Sequence, residues 1–128
     1  MRDYIMDYFE KADQGQVLHI NVHSQAGAIL NKLLPDIPPE CRERMYVDTY
    51  GTAGYVDKEM AKRVRNIWHP NDITSKMADQ KGWKKAKEEG SLVILEDDGK
   101  SPLAAHGLMN GYLKKLAENN KEFSEGDF

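Results

Sequence analysis

A serine, an aspartate and a histidine stand at positions 24, 72 and 106 of a 128-residue chain, in the settings "NVHSQAGAIL", "WHPNDITS" and "AAHGLMNGYL". Residues of these three types can carry out acyl transfer together. A serine hydroxyl is a poor nucleophile until a base takes its proton, and an imidazole serves as that base when a third group holds it in one tautomer. Plainer roles exist for each residue. Ser24 and Asp72 both precede apolar periodic runs, where either side chain would cap a helix N-terminus. His106 also fits as a polar residue in the first turn of an amphipathic helix. Asp48, Asp97 and Asp98 compete with Asp72 for the acid's role. His19 and His23 have a helical metal-ligand spacing, but on a strand rising about 3.3 Å per residue they would lie roughly 13 Å apart, so no metal site follows. His23 is expected to pack beside the serine, and His69 to lie at the surface of a strand end.

Four segments rich in β-branched and apolar residues read as strands: "VLHINV" (17–22), "RMYVDTY" (44–50), "VRNIWH" (64–69) and "SLVILE" (91–96). Helical spacing fills the intervals. Tyr4, Ile5, Tyr8, Phe9 and Ala12 precede the first strand, and Ala26, Ile29, Leu30, Leu33 and Leu34 follow it until Pro35 stops the run. Leu108, Met109, Tyr112, Leu113 and Leu116 form a last stripe. This alternation predicts an α/β fold with a four-stranded, mainly parallel sheet flanked by helices. In such a sheet functional groups collect at the carboxyl edge. The first strand delivers His23, Ser24 and Gln25 there, the third delivers His69 to Asp72, and the fourth leads to His106.

The segment "VHSQAGAIL" resembles the nucleophile elbow of the α/β-hydrolase superfamily, in its lipase- and esterase-like members with an "HSQ" spelling. "YVDTYGTAGYV" resembles the strand that follows, "VRNIWHPNDITSKMA" the strand and turn that carry the acid, and "AAHGLMNGYL" the histidine loop. Val22 and Ala26 stand where the elbow has glycines, and Gly27 is displaced by one. The resemblance implies a serine hydrolase acting on a small ester-like or acyl substrate. Ser24 would attack, His106 would move the proton, Asp72 would orient His106, and the backbone N–H of Gln25 would serve the oxyanion hole. No cofactor is implied. The likeness is to the carboxyl-terminal half of such an enzyme, which leaves strand 17–22 with an open edge for a homodimer partner or an amino-terminal half. Two other readings remain: a catalytically silent hydrolase-like module, and a small α/β domain holding an anion at Ser24.

The bulk properties bound these readings. The length suits one domain over residues 1–118 with a polar, frayed tail at 119–128. No apolar run approaches the roughly 18 residues of a membrane span. The acidic amino terminus lacks a signal-peptide pattern, and Cys41 has no cysteine to pair with, so a cytoplasmic location is expected. A net charge of −3 argues against nucleic acid as a partner. The lysines around Trp83 in "KGWKKAKEEG" read as solvated helix surface beside Glu88 and Glu89.

Overall fold

The computed structural model describes the backbone of residues 1–128 and all side chains except those of residues 109 and 110, so the Met109 position of the last stripe lies outside the described side chains. Strands β1 (Leu18–His23), β2 (Met45–Tyr50), β3 (Arg63–Trp68) and β4 (Leu92–Ile94) form one all-parallel sheet in chain order, which bears out the expected α/β fold. Helices α1 (Arg2–Lys11), α2 (Gln25–Leu33), α3 (Pro39–Arg42), α4 (Ile73–Ala78), α5 (Gln80–Glu89), α6 (Pro102–His106) and α7 (Leu113–Ser124) flank it. A π-helical turn, Leu108–Tyr112, leads into α7. No helix of the described residues is long and apolar enough to cross a membrane.

Side chains alternate across a strand, so each strand contributes to two different cores. Val22, Met45, Val47 and Val64 point to one face and pack with Ile5 and Phe9 of α1 and Leu30 of α2. This is the main apolar core. Toward α7 the sheet shows His19, Asn21, Asp48, Tyr50 and Arg65, with apolar packing of Tyr50, Ile67 and Tyr112 only toward the carboxyl edge.

Helix ends follow local chemistry. Pro35 lies in a tight turn, Leu34–Asp36, that closes α2. Asp72 and Asp79 cap α4 and α5 by accepting from Ser75 N and Gly82 N, and Gly90 ends α5 in the left-handed conformation at φ 79°.

The first three strands fall within one residue of their expected bounds, and two boundaries differ by more. The fourth strand is three residues long rather than six. The segment from residue 119 is not frayed: α7 continues to Ser124, Asn119 is fully buried, and Phe123 stacks on His19 at 4.5 Å between ring centroids. Polar tail residues bury here because the sheet face beneath them is itself polar. Asn119 donates to the Tyr50 hydroxyl at 3.0 Å, and Asn21 donates to Asn120 at 2.9 Å.

Candidate active site

β1 ends at His23, and the next residue turns sharply. Ser24 has φ 54° and ψ −124°, and no other non-glycine residue has a positive φ among the described residues. Such a backbone costs roughly 1–3 kcal/mol and persists where surrounding contacts enforce it. Here they do. Ser24 N donates to Tyr50 O at 3.4 Å, while Ser24 O accepts from Ala53 N at 3.0 Å and Gly27 N at 3.2 Å. Gly27 explains how the turn is accommodated, since a Cβ there would lie 2.3 Å from Thr52 Cβ. The close approach of α2 to the strand exit falls at this displaced glycine. Val22 meanwhile points into the main core and Ala26 packs against it.

The Ser24 hydroxyl makes no capping bond to α2. It lies 3.0 Å from His106 Nε2. His106 Nδ1 lies 3.0 Å from Asp72 Oδ1 and 3.1 Å from Oδ2. With Nδ1–H donating to the carboxylate, Nε2 is left to accept the serine proton. Asp72 is both the α4 cap and the partner of His106, because its two oxygens divide the work: Oδ1 also accepts from Ser75 N at 3.1 Å, and Oδ2 accepts from the Tyr112 hydroxyl. The Asp72 backbone is tied as well, its carbonyl accepting from Trp68 Nε1 at 2.9 Å. The Asp72 side chain is fully buried and that of His106 is 22% exposed, so the constellation opens to solvent on the histidine and serine side.

His106 ends α6, whose start is fixed by Pro102 and by Ser101 accepting from Ala104 N. Its carbonyl also lies 2.7 Å from His23 Nε2, so the histidine is held by ring and backbone alike. His23 therefore does more than pack beside the serine. Gln25 occupies the first position of α2, where a backbone N–H has no helical carbonyl to meet, and its side chain is exposed.

The other candidate acids sort elsewhere. Asp48 pairs with Arg65 and His19 in the middle of the sheet, on the face covered by α7. Asp97 accepts from Asn71 Nδ2 at 2.7 Å. Asp98 pairs with Lys100 and with His69 Nε2, which lies 2.7 Å away. The lysine hydrogen bond and then His69 hold the Asp98 carboxyl well below the usual carboxylate range. His69 is thus not a surface residue: it is 1% exposed, and its Nδ1 accepts from Asn71 N at 3.1 Å. Burial of this imidazole became possible because both nitrogens found partners. These bonds fasten the β4–α6 loop that carries the chain to His106.

The sequence reading brought together Ser24, Asp72 and His106 but assigned no bonding role to His23, His69 or Tyr112. No group of three or more metal-binding side chains occurs among the described residues. No family model, curated protein or solved structure matches this chain. The α/β fold is therefore the class established, and the site is read from its own geometry.

Proposed function

We propose that this protein is a serine hydrolase acting on an ester-like or acyl substrate, in the manner of lipase- and esterase-like α/β-hydrolases. One observation carries the proposal: a serine held at φ 54° presents its hydroxyl 3.0 Å from an imidazole whose other nitrogen faces a buried carboxylate. As Ser24 Oγ attacks a carbonyl carbon, His106 Nε2 takes its proton. Asp72 stabilises the resulting imidazolium. His106 then protonates the leaving group, and the acyl-serine is hydrolysed by water with His106 again serving as base. The N–H of Gln25, free of a helical carbonyl at the first position of α2, serves as an oxyanion donor in this reading, and loss of such a donor typically costs about 3 kcal/mol of transition-state stabilisation.

A fluorophosphonate probe tests this directly. Covalent labelling of Ser24 in the wild type, abolished in Ser24→Ala and reduced at least about 100-fold in His106→Ala, is the expected result. An unlabelled protein that inorganic phosphate stabilises against heat would instead support the anion-binding domain. An unlabelled protein indifferent to phosphate would support the silent module.

A further inference from the structure

The Tyr112 hydroxyl donates to Asp72 Oδ2 and accepts from His69 N at 3.1 Å. The ring is buried, and the backbone around it is shaped to admit this one contact. Gly51, at φ 56°, leaves the space: a Cβ there would lie 2.4 Å from Asp72 Oδ2 and 2.7 Å from the Tyr112 hydroxyl. Gly111 leaves a second space, since its Cβ would lie 1.8 Å from Ala105 O, on the helix that carries His106. The π-helical turn Leu108–Tyr112 lets the chain leave His106 and return Tyr112 to the same carboxylate within six residues. Gly51 thus makes room for the hydroxyl itself, while Gly111 lets the turn that carries Tyr112 pack on the helix that carries His106.

We infer that Tyr112 is a positioning residue that acts through Asp72, fixing the carboxylate plane and sharing its negative charge with His106. Each hydrogen bond to a carboxylate draws charge from the others, so the Tyr112 donor weakens the pull of Asp72 on the imidazole. Burial and then Asp72 push the Tyr112 phenol up from its ordinary range, which keeps the donor proton in place across neutral pH. Without that donor the imidazolium is better stabilised.

The effect on reactivity rests on the serine-hydrolase reading, while the effect on the His106–Asp72 hydrogen bond does not. The test uses both. In Tyr112→Phe, the pH midpoint of fluorophosphonate labelling is expected to rise by about half a unit, and the His106 Nδ1 proton resonance in NMR to move downfield. Site-specific 3-fluorotyrosine at 112 keeps the shape and strengthens the donor, and should move both readouts the other way even where Tyr112→Phe fails to fold. A resonance that follows donor strength in a protein that never labels supports the positioning role and refutes the hydrolase reading. A resonance and a midpoint that stay fixed in either variant, with only the melting temperature lowered, would reduce Tyr112 to packing and overturn the inference.

Discussion

The two faces of the sheet are made from the same strands by alternate residues, yet they are held down by different forces. On one face Val22, Met45, Val47 and Val64 meet α1 and α2 through apolar contact, and the buried polar pair Thr49 and Asn66 further along carries no charge. On the other, α7 is fastened largely by polar bonds. Asp48, fully buried, accepts from Arg65 Nε at 2.7 Å and Nη2 at 2.9 Å and lies 2.7 Å from His19 Nε2. Arg65 Nη1 reaches Glu122 of α7 at 3.4 Å. Parallel sheets covered on both sides usually read as near-continuous apolar runs. This one departs from that pattern, and the difference is one of tolerance: apolar packing degrades gradually when trimmed, whereas a buried charge deprived of its partner is strongly destabilising.

The comparison can be broken at Asp48. Asp48→Ala leaves Arg65 and His19 without their carboxylate, and should cost about 3–5 kcal/mol in denaturant unfolding. The same residue gives the polar face an acid sensitivity. Burial pushes the Asp48 carboxyl up, but hydrogen bonds from Arg65 and His19 outweigh it and hold the group below its ordinary value. A carboxyl depressed in the folded state contributes stability above its unfolded pKa of about 3.9 and loses it as pH falls through the lower folded value. Below about pH 4 the wild type should therefore lose stability more steeply than Asp48→Asn, and parallel acid limbs would sink this account.

Leu30→Ala probes the apolar face, where Leu30 is fully buried. A loss of about 3 kcal/mol, with the acid limb of the wild type retained, is the expected result. If this variant instead changed the acid limb, the two faces would not be energetically separable. The smallest effect concerns the sheet's flank. β1 pairs with β2 alone. Leu18 N and Ser24 N both donate toward β2, so by alternation the amides of His19, Asn21 and His23 point away from the sheet. Those amides should exchange hydrogen faster than Ile20 and Val22, and sedimentation across a concentration series should reveal self-association through this open flank. Uniform slow exchange along β1 at all concentrations would contradict both.

Strand identity and order were legible because Val, Ile and Tyr cluster in short runs between helical stripes. Where each strand would deliver its next residues was legible for the same reason, and this is what drew Ser24, Asp72 and His106 together. The fourth strand reads longer than it is: Leu92 to Leu95 are alike in apolar character, but only Leu92–Ile94 pairs with β3. In the sequence Tyr112 is only one member of an amphipathic stripe, since periodicity reports which face an aromatic occupies and nothing about where its hydroxyl points. His69 needed Asp98, 29 residues away, to be buried. The polar stretch at 119–124 read as solvent-facing because its partners, Tyr50 and His19, lie on a sheet face whose polarity is itself exceptional.

Because strand order equals chain order, the sheet can grow along one direction as the polypeptide leaves the ribosome. The imidazole partner of Ser24 is synthesised 82 residues after it, an interval of roughly 4 to 16 seconds at ordinary translation rates. During that interval β1, β2 and β3 can pair and the strained turn can form, but the hydroxyl has nothing to take its proton and Asp72 has no ring to orient. Any nascent or prematurely released chain stopping before α6 therefore carries Ser24 without its imidazole neighbour. The arrangement makes the Ser24–His106 contact a late event in the life of each molecule, formed only once the loop held by His69 and Asp98 has brought α6 to the edge of the sheet.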